Sequence, residues 1–395
     1  MVGICYVAPD VPVPHQRGAS THVLELARAL QQLGNQVHVV CRRERFQSSE
    51  ETISGVVFHR LYRGLLFPLP GSEPSIGPAG ERAGVVSTAY SLYLGTFNAL
   101  FAGLFALRLI RSHGLQVIIE RETAFGAGAV ASVLSRRPMI LEIIGPKTSW
   151  LSTHVSSRIL AYNEKMVSRN ALKKTVFVKA AVNPELFKPD SAARMRVRRK
   201  LGIDDSIVVG YVGTFQSWHG LEDLIRAAKM LRHFGPKLKF LLVGPLKSNA
   251  ASFSDAGDDS LILTGPVPYE AVPDYINAAD ITVAPYNVLN SSRKDKGIGS
   301  PLKVLEYMAC GKPTIGSSLP QVASIIEDGK TGFLFPQGDV SLLAGRIEEL
   351  ARNSSLREEM GRNALERVRK EFTWVSFAQR TLSQVEECVT QDLDS

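Results

Sequence analysis

Short β-rich runs alternate with helical patterns from one end of this 395-residue chain to the other, and that alternation leaves few folds open. In the first half the runs are Val2 to Val7, Gln36 to Val40, Gly55 to Arg60, Gln116 to Ile119, Met139 to Ile143 and Thr175 to Val178, with helices such as Thr21 to Gln32 between them. After Val182 the Pro-punctuated connector NPELFKPD leads to a second series: Ser206 to Gly213, Lys239 to Val243, Leu261 to Leu263, Ile281 to Val283, Thr314 to Gly316 and Gly332 to Phe335. Its helices include Leu221 to His233, Tyr269 to Ala278 and Val340 to Asn353. Parallel strands need long crossovers, usually helical, so the pattern predicts parallel sheets wrapped by helices. The length suits two domains. The expected fold class is α/β, two doubly wound Rossmann-like domains facing a cleft, the first spanning 1–185 and taking back 372–395, the second spanning 186–371.

Composition excludes other classes. With 45% hydrophobic and 21% charged residues the chain is globular, not disordered. Cys5, Cys41, Cys310 and Cys388 are scattered without metal or redox spacing, which predicts free thiols in a reducing compartment. The opening MVGICYVAP reads as a buried strand and lacks the basic region and cleavage site of a signal peptide, so a cytoplasmic location is expected. Residues 1–200 carry 26 Lys and Arg against 13 Asp and Glu, a surplus of 13, while the remainder runs to −5. Such asymmetry suggests that the first half meets an anionic surface, although a run such as RMRVRRK, Arg194 to Lys200, also reads as a solvated helix face. No charge occurs from Ala83 to Leu107, but Ser87, Thr88, Ser91, Thr96 and Asn98 interrupt the stretch. One or two buried or interfacial helices are expected there in place of a span, with the protein peripheral on the inner face of a membrane. A nucleic-acid partner is not expected.

The stretch GIGSPLKVLEYMACGKP, Gly297 to Pro313, carries the chemistry. Ser300 is a good N-cap, Pro301 suits the first helical position, and Gly311 with Pro313 stops the helix after about three turns. The helix N-terminus offers N–H groups to an anion and Lys303 adds a full charge, which predicts a phosphate site. Glu306, one turn on and about 4.5 Å further along the axis, is placed to take both hydroxyls of a ribose. The plainer alternative is an amphipathic helix with Val304, Leu305 and Met308 in the core and Lys303 and Glu306 as a solvated pair. Gly18, in the loop after the first strand, sits where open α/β sheets bind ligands, or marks a turn that needed glycine.

Taken together, these features resemble the retaining nucleotide-sugar glycosyltransferases of family four, which have the GT-B fold. The resemblance rests on RGASTHVLELARALQQLGNQVHVV, VNPELFKPD, GYVGTFQSWHGLEDLI, LTGPVPYEAVPDYINAADITVAP and SPLKVLEYMACGKPTIGSS followed by EDGKTGFLF. It implies an N-terminal acceptor domain, a C-terminal domain for the sugar nucleotide, and a last helix from Phe372 that crosses back. Glu306 matches the second Glu of the family's Glu, seven residues, Glu motif and would hold the ribose. Ser300 to Leu302 would offer backbone N–H groups to the distal phosphate, except Pro301, which has none. Gly265 and Val267 would flank the base, and Gly213 and Thr214 fall in the donor-binding block after the first strand of the second domain.

This chain departs from the pattern. The first Glu falls on Ile298, with Asp295 as a substitute from the same loop, and the usual Arg and Lys for the diphosphate fall on Thr214 and His219. Lys303 would supply the missing charge, and His219 would either hydrogen-bond a phosphate or pack beside Trp218. Where the family often places a His near the reaction centre this chain has LEIIGP, with Glu142 either functional or paired with Arg121. The implied activity is transfer of a sugar from a nucleoside diphosphate sugar, with retention, to a glycan or lipid-linked acceptor. No metal and no separate cofactor is expected, the sugar nucleotide being a co-substrate. The alternatives are a sugar-nucleotide epimerase of the same fold and an inactive donor-binding subunit.

Overall fold

The computed structural model describes residues 1–14, 18–62, 85–144, 148–245, 259–289, 298 and 300–393. The chain forms two compact units, Met1–Val178 with Phe377–Ser395, and Lys179–Ser376. The sequence reading drew those boundaries at 185 and 372.

The first unit holds strands β1 (Gly3–Pro12), β2 (Gln36–Arg42), β3 (Glu50–Ile53), β4 (Val56–Leu61), β5 (Val117–Arg121), β6 (Met139–Ile143), β7 (Arg158–Ala161) and β8 (Thr175–Phe177). Their order is β3-β4-β2-β1-β5-β6-β7-β8, parallel throughout except for the antiparallel pair β3 and β4. Ile4 lies opposite Val37 on one side and Val117 on the other. Cys5, Tyr6 and Val7 are wholly buried, which is why β1 reads as one apolar run and not as an alternation. Two strands escaped the sequence reading. EETI (β3) is a charged, exposed edge strand, the kind that resists pairing with other chains, and RILA (β7) is only four residues long. Helices α1 (Gly18–Gln32), α2 (Val85–His113), α3 (Ala127–Ser135) and α4 (Trp150–Val155) link the strands. The uncharged stretch contributes to one helix, α2, and among the described residues no helix is long and apolar enough to cross a membrane.

In the second unit the strands are β9 (Ile207–Val212), β10 (Leu238–Val243), β11 (Leu261–Gly265), β12 (Ile281–Ala284), β13 (Thr314–Ser317) and β14 (Gly332–Phe335). They form one parallel sheet ordered β11-β10-β9-β12-β13-β14. Helices α5 (Ser191–Leu201), α6 (Leu221–Met230), α7 (Val272–Ala278), α8 (Leu302–Ala309), α9 (Pro320–Ala323), α10 (Val340–Arg352) and α11 (Ser354–Glu371) accompany it, and α12 (Trp374–Leu393) rejoins the first unit from Phe377. The core packs Val209, Tyr211, Phe240 and Leu242 of the sheet against Leu224, Leu343 and Ile347 of α6 and α10. Both units reverse strand order once, between β1 and β5 and between β9 and β12.

A histidine cluster, with His38 and His59 buried and His113 exposed, marks one side of the first unit. His38 on β2 and His59 on β4 stack with centroids 5.3 Å apart, and His113 lies 4.3 Å from His38. His38 Nδ1 meets His59 Nε2 at 3.0 Å, Gln36 Nε2 meets His38 Nε2 at 3.1 Å, and Glu50 Oε2 is 3.1 Å from His59 Nδ1. Burial first, then the neighbouring imidazoles, push His38 down to about 4 from its usual 6.5. A depressed histidine takes up its proton only in the unfolded chain between those two values, so stability falls as pH drops from about 6.5 to 4. The expected loss is at most about 3 kcal/mol. Thermal melts of the parent and of His38→Gln across that window test it: the variant's midpoint should fall less with acid, and parallel slopes would remove the cluster as the cause.

Candidate active site

Open α/β sheets bind ligands at the carboxyl ends of their strands where the strand order reverses. In the second unit that point lies between β9 and β12, and α8 follows β12. β12 pairs with β9 only through Ile281 and Thr282, opposite Val209 and Gly210. Beyond that pairing the Val212 backbone needs partners. The Tyr307 hydroxyl supplies both: it accepts from Val212 N at 2.8 Å and donates to Val212 O at 2.9 Å. This bond pins α8 to the end of β9.

One turn earlier on α8, Lys303 is delivered to the same strand end. Its Nζ donates to the Tyr211 hydroxyl at 2.9 Å and lies 4.5 Å and 5.0 Å from the Tyr211 and Tyr286 ring centroids. A Cβ at Gly213 would stand 3.1 Å from that Nζ. The Tyr211 hydroxyl in turn donates to Thr214 O at 2.7 Å, and His219 Nδ1 contacts the same carbonyl. Because a carbonyl only accepts, His219 carries its proton on Nδ1 and presents Nε2 as an acceptor when neutral. The ring is buried and edge-on to Trp218, at 3.9 Å between centroids. Lys303, Tyr211, Gly213, Thr214 and His219 thus form one cluster.

Close backbone packing holds the loops around it. Gly220 has φ +68°, and a Cβ there would overlap the Pro285 carbonyl oxygen, so the turn after β9 abuts the loop after β12 directly. Gly244, at the end of β10, likewise leaves no room for a side chain against Gly213 O. Gly213 N donates to Val243 O and Gly244 N to Gly265 O, at 2.9 and 3.0 Å, which aligns the ends of β9, β10 and β11. Gly265 closes β11, and partly exposed Val267 follows two residues on.

The electrostatics of α8 differ from those of a solvated pair. Lys303 and Glu306 make no ion pair with each other; among the described residues the Glu306 carboxylate has neither a hydrogen bond nor an ion pair. Burial pushes Lys303 down to about 7, partly opposed by the Glu306 charge, and pushes Glu306 up to about 7, partly opposed by Lys303. The plainer amphipathic reading is right about the core face, since Val304, Leu305 and Met308 are fully buried, and wrong about the pair.

Two local expectations need correction. The helix begins at Leu302, one residue later than read, with Pro301 at the cap (φ −82°, ψ 57°) and no side-chain cap bond. Ser300 is therefore not the N-cap, and its buried Oγ has no partner among the described residues. Eight residues make about two turns, ended as expected by Gly311 at φ +68°. Ile298 is buried and its carbonyl accepts from Gln321 Nε2 at 2.9 Å, while Asp295 lies outside the described residues.

The first unit has its own buried polar group near its reversal point. Gly18 opens α1, and His22, one turn on, sets Nε2 3.3 Å from Glu142 Oε1 on β6. Tyr6 of β1 donates to Glu142 Oε2 at 2.5 Å, and the Tyr162 hydroxyl lies 3.5 Å from His22 Nδ1. The Tyr6 hydroxyl is held well above its usual pKa, by burial and then by the Glu142 charge. Glu142 thus meets Tyr6 and His22 and forms no ion pair with Arg121 among the described residues, although Arg121 is its neighbour in strand register and its charge reaches the Tyr6 hydroxyl. The sequence reading missed His22, Tyr211, Tyr286 and Tyr307. The available signal was position: Tyr286 lies two residues past the end of β12, and Tyr211 lies one residue before the end of β9.

Comparison with known proteins follows this division. The family model described as Glycosyltransferase Family 4 matches residues 16–143, and the one described as Glycosyl transferases group 1 matches residues 194–367. The chain is 30% identical over 177 residues to the alpha-D-kanosaminyltransferase of Streptomyces kanamyceticus, covering 44% of each chain. It is also 30% identical over 224 residues to a D-inositol 3-phosphate glycosyltransferase of Kribbella flavida, covering 53% of this chain and 50% of that one. The chain spans about half the length of the curated relatives it matches. Among solved structures, Anabaena HepE in complex with UDP superposes with a TM-score of 0.69 over 98% of this chain and 100% of that one, at 17% identity, a likeness of fold.

Proposed function

Because this chain belongs to the glycosyltransferase family whose two parts those models describe, we propose that it transfers a sugar from a nucleoside diphosphate sugar to a glycan or lipid-linked acceptor, with retention of configuration. The observation that carries this reading is Lys303 held at the carboxyl end of β9, beside the N-terminus of α8, with the Glu306 carboxylate one turn further along and unpaired among the described residues. Charge on the departing diphosphate is met by Lys303 and the helix N-terminus, and the carboxylate accepts from the ribose hydroxyls. His219, bonded to Thr214 O, sits next to that charge. The relatives are named as sugar transferases and the fold neighbour holds UDP, which supports a nucleotide-linked donor. The sugar nucleotide is a co-substrate, and the reading calls for no separate cofactor.

A thermal-shift screen of UDP-, GDP-, ADP- and TDP-sugars tests it. A true donor at 100 times its dissociation constant stabilises by about 2.7 kcal/mol. One base class should stand out, and its sugar should stay unchanged when the protein is incubated with donor alone. No shift with any nucleotide would overturn the reading, and conversion of the sugar without acceptor would replace it by epimerisation.

A further inference from the structure

Helices α2, α3 and α4 lie side by side on one face of the first unit's sheet. Their crossovers, β4 to β5, β5 to β6 and β6 to β7, all run the same way across the sheet, and right-handed crossovers put such helices on one face. Ala102, Ala106 and Ile110 of α2 share a core with Ala127 and Ala131 of α3 and with Leu151 of α4. The outward residues are not those of an ordinary solvated surface. Leu100 and Leu104 on α2, Val133 and Leu134 on α3 and Trp150 on α4 are 46 to 72% exposed. Scattered apolar side chains need no explanation, but five on three adjacent helices mark an interaction face.

Charge identifies the partner. None of the three helices contains an Asp or Glu. Arg108 and Arg111 lie in the last turns of α2, and Arg136 and Arg137 directly follow α3; all four are exposed, and none has an ion pair among the described residues. Both helices end where the next strand begins, so the four arginines lie toward the amino ends of β5 and β6. A second copy seated on this face about a two-fold axis would bring like charges together. A partner that is apolar within and anionic outside fits it: the surface of a bilayer containing acidic lipids, with Trp150 at headgroup level.

We infer that the face formed by α2, α3 and α4 seats the protein on anionic membranes, with Arg108, Arg111, Arg136 and Arg137 on the headgroups and the exposed apolar residues in the interface. The inference uses the first unit alone and stands apart from the donor assignment. Co-sedimentation of the full chain with vesicles of phosphatidylcholine, with and without phosphatidylglycerol, tests it. Binding should require the anionic lipid and weaken with salt. The quadruple variant R108Q/R111Q/R136Q/R137Q should bind at least about tenfold more weakly, and the pair R136Q/R137Q should fall between it and the parent. Trp150→Ala should weaken binding as well. Equal binding to both vesicle types, binding to neither, or unchanged binding by the pair and by Trp150→Ala would overturn the inference. A parent dimer that Trp150→Ala dissociates, without vesicle binding, would assign the face to a second copy and overturn it equally.

Discussion

Glu306→Ala lowers affinity for nucleoside and nucleoside diphosphate alike, by roughly 10- to 150-fold. The carboxylate's proposed partners are the ribose hydroxyls, and hydrogen bonds to a charged group contribute about 1.5 to 3 kcal/mol. Both ligands carry the ribose, so both lose the same contact. Stability discriminates this role from a structural one. Burial raises the Glu306 carboxyl to about 7, so the folded protein resists its ionisation. A group raised in the folded state binds more protons there than in the unfolded chain, and its ionised form detracts from stability increasingly as pH rises from about 4.5 to 7. Replacing it by Ala should therefore leave the melting midpoint at pH 7.5 unchanged or higher while binding falls. Nucleoside affinity of the parent should also drop as pH falls below about 7, where the carboxylate takes up a proton. A midpoint that falls together with affinity would mark Glu306 as a packing residue.

Lys303→Ala separates the two ligands. The Nζ sits at the end of β9 beside Gly213, bonded to the Tyr211 hydroxyl and covered by two aromatic rings. Its proposed partner is phosphate, so nucleoside binding is spared and nucleoside diphosphate binding weakens, also by roughly 10- to 150-fold. Turnover slows with it, since the same charge meets the departing diphosphate. The pH dependence has the opposite sign to that of Glu306. Burial lowers the Lys303 ammonium to about 7, so the free protein loses this charge as pH rises through 7 and diphosphate affinity falls on the alkaline side. The parent's affinity for nucleoside diphosphate then peaks near neutrality, and Lys303→Ala removes the alkaline limb alone. A variant that weakens nucleoside as much as nucleoside diphosphate would show Lys303 supporting α8 and not contacting phosphate.

What was legible in the sequence was local. Parallel β runs such as Val208 to Val212 are buried on both faces, so their composition announces them, and Gly311 stops α8 because a left-handed residue ends a helix cheaply. The cap moved from Ser300 to Pro301 because N-cap preference weighs one residue, whereas the placement of α8 is set by Tyr307 bonding Val212, 95 positions away. The spacing of Lys303 and Glu306 put them on one face but held no information on whether they turn toward each other. Tyr211, 92 positions away, decides that by taking the ammonium. His22 stayed hidden for the same reason: it reads as one polar residue in an amphipathic helix until β6 brings Glu142 to it across 120 positions. Charged EETI concealed an edge strand because edges are selected against looking like strands.

The central claim is that α8 and the end of β9 hold the donor nucleotide, ribose at Glu306 and diphosphate at Lys303. Isothermal titration calorimetry at pH 7 of the parent, Glu306→Ala and Lys303→Ala, each with the nucleoside and the nucleoside diphosphate selected by the donor screen, tests it most directly. The account predicts that Glu306→Ala loses affinity for both ligands while Lys303→Ala loses it for the diphosphate alone. Parent-like binding of both ligands by both variants would contradict it and move the donor site elsewhere.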